Sequence, residues 1–260
     1  MSWNVLLGIL STVAMFVPAA IIIIKRMYCH KSLIALLIYY IFAVFYNFLL
    51  TEHFITLDHE MVRKAGVIIH LFDTPLMLSF LLFFSATAIL AKRIKIFIAA
   101  FILFELIIIA TFNFTKEAVT YIMGPGILLI VLLSLIFLFR QIRLTIMHRK
   151  SMGKVFMIAS VLFYYFSFCI IYLFYYLLKT IYVADTFLVY FVVTIFSSFL
   201  MSAGLLIEKE RILKLSELKT TRKELSIVFG NNEKAAHERA AWWKNRNVLL
   251  KAIFIFYNQL

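Results

Sequence analysis

Residues 5–24 read VLLGILSTVAMFVPAAIIII, and this segment indicates the class of fold. It carries no charged side chain and, as a helix, is long enough to cross the hydrocarbon core of a bilayer, which requires about 20 apolar residues. The four residues before it include no Lys or Arg. We therefore predict a retained membrane helix and not a signal peptide that is removed.

The composition of the whole chain agrees with this first segment. Of 260 residues, 64% are hydrophobic and 15% are charged, and the mean hydropathy is +0.99. Soluble domains are about 45–50% apolar and about 25% charged, so an ordinary soluble enzyme is excluded. The 28 Phe and 13 Tyr exclude a disordered chain, which has few aromatic residues. A polytopic membrane protein remains.

Charged residues divide the first part of the chain into seven apolar runs. Each is close to the length that a membrane-spanning helix needs. The glycines and proline of residues 124–126 predict a break near the start of the fifth run, and residues 92–95 predict the connection between the third and fourth. The predicted spans are residues 5–24, 32–50, 65–91, 96–112, 122–139, 155–178 and 185–207.

The orientation of the spans follows from the distribution of basic residues. Of the 26 Lys and Arg residues, 22 lie in one set of alternate connections and in the tail, and 4 lie in the other set. The positive-inside rule then places the N-terminus outside and the tail in the cytoplasm. These charges flank spans and do not collect on a soluble face, so we expect no nucleic-acid partner.

The predicted fold is all-α, with two parts. Residues 1–207 form a seven-helix transmembrane bundle in contact with the lipid bilayer, and residues 208–260 form a helical tail in the cytoplasm. We find no internal repeat, which weakens a transporter interpretation because many transporters contain two related halves.

Ionisable side chains within the spans are the main functional signal, since a charge in hydrocarbon is costly and usually faces a cavity or a partner. Asp73 lies eight residues into the third span, at a depth of roughly 12 Å from the predicted outer side. His70 precedes it by three positions, so the two side chains share one helix face. Pro75 removes a backbone hydrogen bond from the same region and predicts a kink.

A second acidic residue, Glu105, lies at a matching depth in the fourth span, eight residues before Asn113. Helices joined by a short connection are antiparallel neighbours, so Glu105 and Asp73 can share one pocket. Asn47 and Asn113 lie toward the same predicted outer side. We predict an outward-facing pocket for a small ligand or ion. Its expected binding residues are His70, Asp73, Glu105, Asn47 and Asn113.

Other interpretations of these polar residues stay open. They can stabilise helix contacts alone, with Glu105 uncharged. Glu52, His53 and residues 58–60 could supply metal ligands, but the spacing is not that of a known metal motif, and we predict no metal ion and no cofactor. The buried carboxyls could act as a general acid or base, although the catalytic motifs that we sought, such as GxSxG, are absent from the sequence.

Tyrosines in the middle of spans need hydrogen-bond partners. Tyr164, Tyr165 and Tyr172 of the sixth span are of this kind, and any of them could belong either to a pocket or to helix packing. Tyr175 and Tyr176 lie near the end of the same span, where tyrosines usually anchor a helix at the membrane interface.

The tail begins with a charged helix that carries an interrupted heptad pattern, which favours a coiled coil. We predict that residues 208–229 pair with a second copy of the chain. The alternative is a single helix whose basic residues bind anionic headgroups. The heptad positions are Leu215, Leu218, Arg222, Leu225 and Phe229.

Residues 207–229 lead from the last span into this charged helix, and the plan resembles that of bacterial sensory proteins. In those proteins a multi-helix membrane domain continues through a signalling helix into an output domain such as a histidine kinase. The resemblance implies a sensor of the bacterial inner membrane with a cytoplasmic signalling partner. The only histidine of the tail is His237, and no glycine motif for ATP follows it. We therefore expect either part of a longer sensor or signalling through a partner protein.

The sequence thus favours an integral membrane sensor or receptor-like protein that is not itself an enzyme. A bound ligand or ion changes the packing of the spans, and the tail reports the change. Two alternatives are an integral-membrane enzyme that acts on a lipid or other amphiphile through Asp73 and Glu105, and a small transporter.

Overall fold

A computed structural model describes residues 3–50, 59–85, 87–148, 152–174 and 188–212, together with residues 217–218, 220–221 and 224–226. These ranges are almost entirely helical and contain no β-strand, so the predicted all-α fold is confirmed. The long helices are α1 (Trp3–Ile24), α2 (Lys31–Leu50), α3 (His59–Leu81), α4 (Ala88–Phe112), α5 (Lys116–His148), α6 (Met152–Tyr172) and α7 (Leu188–Ile212).

In the described part of the chain, seven helices are long and apolar enough to cross a membrane. Many of their outward-facing side chains are large and hydrophobic, for example Phe97, Phe166 and Phe196. Such side chains suit a lipid environment, which is as apolar as they are. The chain is therefore a multi-pass membrane protein, as the hydropathy pattern predicted.

The boundary between the third and fourth predicted spans is wrong. Residues 92–95 were expected to connect them, but α4 already begins at Ala88. Thr87 explains the earlier start, because its backbone is extended and its hydroxyl accepts a hydrogen bond from the Leu90 N–H at 3.3 Å. The basic side chains of residues 92–95 are exposed near this helix end, where their flexible stems can extend toward a membrane surface.

The predicted break at residues 124–126 is also wrong, since α5 continues through Gly124, Pro125 and Gly126. A membrane helix tolerates proline when neighbouring groups replace the lost hydrogen bond or when the helix adjusts locally. The glycines have a packing role: a Cβ on Gly126 would clash with the Thr74 hydroxyl of α3. The two helices therefore approach each other closely at this point.

Helix α3 lies at the centre of the helix contacts. It packs against α2, α4 and α5, while α5 also packs along α6. Phe80 of α3 and Phe84, which follows it in the 3₁₀ helix Leu82–Phe84, meet edge to face at 5.3 Å between ring centroids. Helix α4 has the smallest buried share among the seven candidate spans. Helix α3 is thus in contact with three other long helices, so a shift of α3 would change the packing of each of them.

Helices α6 and α7 cross with their backbones almost in contact. A Cβ on Gly153 would lie 2.7 Å from the Glu208 backbone nitrogen and 2.8 Å from the Gly204 carbonyl oxygen. Further along, the Ser160 hydroxyl donates to the Ser197 carbonyl at 2.7 Å. Small residues at such crossings allow close van der Waals packing in membranes. The two helices therefore form a tightly packed pair.

Residue contacts divide the chain into two units, Met1–Lys209 and Glu210–Leu260. The described residues of the second unit near positions 217–226 are helical, and Leu218 and Leu225 are exposed there. The other positions of the predicted heptad pattern lie outside the described residues: Leu215, Arg222 and Phe229.

Candidate functional site

The site is built around a partly buried hydrogen bond between α3 and α6. The Tyr165 hydroxyl donates to Oδ1 of Asp73 at 2.6 Å, and the Tyr165 side chain is fully buried. This distance is in the range of hydroxyl-to-carboxylate bonds, which are shorter and stronger than bonds between neutral groups. Asp73 therefore fixes the position of α3 relative to α6 inside the bundle.

Further tyrosines from three helices surround this bond. The ring of Tyr164 meets that of Tyr165 edge to face at 5.2 Å and that of Tyr190 at 6.4 Å. Tyr39 of α2 lies close to Tyr164 and Tyr165. A cluster of several hydroxyl groups is unusual inside a membrane protein, because each hydroxyl requires a hydrogen-bond partner. The cluster makes this part of the interior polar and able to interact with a small charged or hydrogen-bonding group.

A small cavity adjoins the tyrosine cluster. Its volume of about 10 Å³ is enough for about one water molecule or an ion of similar size. Hydroxyl groups, methionine sulfurs and aromatic rings share its wall, so the cavity is partly polar. It is lined by Met15, Tyr39, Tyr40, Met77, Ser160, Val161, Tyr164, Tyr165, Thr194, Ser197, Ser198 and Met201.

Glu105 lies on another side of α3. Its side chain is only 4% exposed, and its Oε1 atom has no hydrogen-bond partner among the described residues. It is close enough to Asp73 for the two carboxyl groups to interact electrostatically. One turn earlier on α4, the ring of Phe101 lies where α3 and α5 meet at Thr74 and Gly126. Glu105 is thus enclosed by helices and not directed into lipid.

The structure brings Asp73 and Glu105 near each other but gives His70 a different neighbour. The His70 ring lies edge-on against Tyr46 of α2, with ring centroids 5.7 Å apart. Asn47 is buried, and its Nδ2 atom lies 3.3 Å from the Met15 sulfur of α1. Both side chains therefore contact the α1–α2 side of the bundle.

Asn113 occupies a third place, at the end of α4. It is exposed, its backbone N–H donates to the Ile109 carbonyl at 2.8 Å, and its φ angle is 54°. Its ψ angle of −163° lies far from helical values, so Asn113 marks the end of α4. The five predicted binding residues thus lie in different parts of the bundle. We use the name polar centre for Asp73, Glu105 and the tyrosines around the Asp73–Tyr165 bond, which are Tyr39, Tyr164, Tyr165 and Tyr190. Two of the five predicted residues, Asp73 and Glu105, belong to it.

The importance of the tyrosines in this centre was not evident from the sequence. Tyr164 and Tyr165 were expected to need hydrogen-bond partners, and Asp73 is the partner of Tyr165. Tyr172, the third mid-span tyrosine, donates to the Thr120 carbonyl of α5 at 2.8 Å and packs against Gly124. Tyr190 carried no signal of its own in the sequence, because it lies near the start of α7, where an interface role is common.

Among the described residues, no group of three or more His, Cys, Asp and Glu side chains could hold a metal ion. Glu52, His53 and Asp58, which the sequence offered as metal ligands, lie outside the described residues. The polar centre itself can accept hydrogen bonds and positive charge through its two carboxyl groups, and it can donate hydrogen bonds through the tyrosines.

Comparison of the chain with protein-family models, with curated proteins and with solved structures found no match.

Proposed function

We propose that this protein is an integral membrane sensor or receptor-like protein. A small ligand or ion binds at the polar centre around Asp73, and the tail carries the resulting change to a cytoplasmic partner. The observation that carries the proposal is the 2.6 Å hydrogen bond between Asp73 and Tyr165, which joins two helices inside the bundle beside a small cavity. In this proposal the N-terminus lies outside, the tail lies in the cytoplasm, and the membrane is the bacterial inner membrane.

A ligand at this centre can act only if it prefers one packing of the helices over another. A positive charge that binds Asp73 competes with the Tyr165 hydroxyl for the same carboxylate oxygens. Weakening that bond frees α3 to shift against α6. Buried polar groups of this kind are common in membrane proteins that bind ions or ligands within the bundle.

The tight packing of α6 on α7 supports a route from the site toward the end of α7. Tyr165 lies on α6, and α6 contacts α7 through Gly153, Gly204 and the hydrogen bond from Ser160. Glu208, near the end of α7, is 2% exposed and sits against Gly153. Because packed helices move as units, a shift of α6 would be shared by α7 and not absorbed between them.

The tail provides the proposed output. Leu218 and Leu225 are seven residues apart and exposed, as one face of a heptad seam is before it meets a partner helix. We include in the proposal that residues 208–229 pair between two copies of the chain and that a change in their pairing is what the cytoplasmic partner recognises.

A label on the tail tests this function without knowledge of the ligand. Cys29 and Cys169 are replaced by Ser, Glu217→Cys introduces a single exposed position, and a spin label is attached there in the full chain in lipid nanodiscs. Asp73→Asn removes the negative charge that a bound cation would neutralise, so it should change the mobility of the label or the distance between labels. Glu117→Gln, at an exposed residue of α5, is the matched control and should leave the spectrum unchanged. Identical spectra for all three proteins would contradict the proposal.

A small transporter is the second candidate. Glu105 Oε1 is buried and has no hydrogen-bond partner within the described ranges, and such an atom also suits an ion that passes through. Removal of residues 210–260 separates the two functions. Glu208 is retained because it packs inside the bundle. A transporter keeps its ion flux into liposomes after this deletion, whereas the proposed sensor binds its ion with or without the tail and shows no flux in either form.

A further inference from the structure

We infer that Asp73 and Glu105 together hold one monovalent cation, a sodium ion or a proton, where α3 meets α4 and α5. The inference rests on the proposed function, because it names the chemistry of the ligand at the same site. Its main observation is the Oε1 atom of Glu105, which is buried and has no hydrogen-bond partner among the described residues. Buried polar atoms without a partner are rare in proteins, and an ion or water that a structure lacks is a common reason for one.

The charges of the site require a positive partner. Two carboxylates close together repel each other, and burial away from water strengthens the repulsion. In the described helices, the Lys and Arg residues lie toward the helix ends and not beside Glu105. Asp73 receives a hydrogen bond from Tyr165, which stabilises one negative charge but not two. A cation from solution would neutralise the second charge.

Two prolines leave backbone oxygen atoms without a helical donor in the helices that meet at Thr74. Pro75 of α3 cannot donate to the Leu71 carbonyl, and Pro125 of α5 cannot donate to the Tyr121 carbonyl. Contact between Thr74 and Gly126 brings these two proline-containing turns together. Backbone carbonyls without a helical donor are frequent ligands of alkali cations in membrane proteins. We therefore include these two carbonyls in the proposed site as neutral oxygen ligands beside the carboxyl groups.

The number of carboxyl groups favours a single positive charge over a divalent metal ion. Ca²⁺ sites usually take six to eight oxygen ligands, several of them from carboxylates, whereas this part of the described bundle has two carboxyl groups close enough to interact electrostatically. One bound cation would neutralise Glu105 and would compete with the Tyr165 hydroxyl for the Asp73 carboxylate. A sodium ion and a proton share this chemistry, and the experiment separates them.

The titratable groups that face Asp73 from other helices are tyrosines. From α6, Tyr165 bonds to Asp73 and Tyr164 lies near it; Tyr39 of α2 and Tyr190 of α7 also lie close to Asp73. On α3 itself, His70 packs against Tyr46. On α5, Tyr121 stacks on Phe112 at the end of α4, with ring centroids 5.0 Å apart. Unperturbed tyrosine side chains are neutral at physiological pH. A change of charge at the site with pH or cation concentration therefore belongs to the carboxyl pair.

Thermal unfolding of the full chain in detergent tests the inference. Sodium chloride replaces choline chloride at constant ionic strength, and the series is repeated from about pH 5 to about pH 9. If sodium binds, Tm rises with its concentration, and each tenfold increase above the midpoint adds about 1.4 kcal/mol of stability. The midpoint moves to a lower sodium concentration as pH rises, because protons compete for the same oxygens. If only protons bind, Tm depends on pH and not on sodium.

Glu105→Gln removes the charge with little change in shape and should abolish the sodium response, together with the part of the pH response that belongs to this site. Glu117→Gln, in the first turn of α5, is the control and should keep both. If Glu105→Gln does not accumulate, Asp73→Asn takes its place with the same expectation. The inference is overturned if the wild type responds to neither ion, or if the variants respond as the wild type does.

This outcome is independent of the tail measurement. If the spectrum of the tail label changes with Asp73→Asn but Tm depends on neither sodium nor pH, the sensor proposal stands and the cation site is contradicted. If Tm depends on the cation and Glu105→Gln abolishes this dependence, but the spectrum of the tail label never changes, the cation site stands and the sensor proposal is contradicted.

Discussion

The α6–α7 crossing and the surroundings of Glu105 differ in how closely their helices pack and in whether their polar atoms have partners. At the crossing, glycines bring two backbones together, and the Ser160 hydroxyl reaches the Ser197 carbonyl. Around Glu105 a buried oxygen has no partner among the described residues, and α4 is the most exposed of the candidate spans. The first region is suited to rigidity. The second can gain stability from a bound ion, which is the property that a switch needs.

A substitution that separates α6 from α7 should have the largest effect on stability. Gly153→Leu places a side chain where backbone atoms of Gly204 and Glu208 already lie, within 2.7 to 2.8 Å of a Cβ. Because a backbone cannot move aside locally, we expect a loss of about 3 kcal/mol or more in the free energy of unfolding. Unfolding of the purified protein by denaturing detergent measures it. Gly8→Ala is the control, since its Cβ would meet the Phe191 ring at an ordinary 3.5 Å.

The α3–α5 contact should respond less strongly. Gly126→Ala puts a Cβ against the side chains of Thr74 and Phe101, which can adjust more easily than a backbone. We expect a cost of about 1 kcal/mol in the same unfolding assay. The double variant with Thr74→Ala should recover most of it, because the colliding hydroxyl is then absent. No recovery would mean that Thr74 and Gly126 are not in contact.

The smallest effect on stability belongs to the tail. Leu218→Ala and Leu225→Ala should each change the unfolding of the bundle by less than about 0.5 kcal/mol, because both residues are exposed. They should nevertheless reduce disulfide cross-linking between two chains that carry Glu217→Cys in place of the native cysteines. Equal cross-linking in the leucine variants and in their parent would remove the proposed pairing of residues 208–229.

The sequence predicted the helical class and the seven membrane spans, because apolar runs of about 20 residues report directly on the requirement of the bilayer. It misplaced the start of α4, since charges were used as boundaries. The helix instead begins at the hydrogen bond between Thr87 and Leu90. It also predicted a break at Pro125, which the packing of α5 against α3 accommodates.

The candidate site was predictable only in part. Depth along the chain indicated that Asp73 and Glu105 lie at one level, and the two carboxyl groups are close enough to interact. The direction in which each side chain points depends on the rotation of its helix, which residue spacing within one span does not reveal. His70 therefore meets Tyr46, while the principal partner of Asp73, Tyr165, lies 92 residues away in the chain.

The carboxylate of Asp73 and the hydroxyl of Tyr165 join α3 and α6 inside the bundle. A double-mutant cycle with Asp73→Ala and Tyr165→Phe, measured by unfolding of the full chain, gives the strength of this coupling. A hydroxyl bound to a charged group predicts a coupling energy of roughly 1–3 kcal/mol between the two substitutions. Two effects that simply add would contradict the claim, because the residues would then act independently.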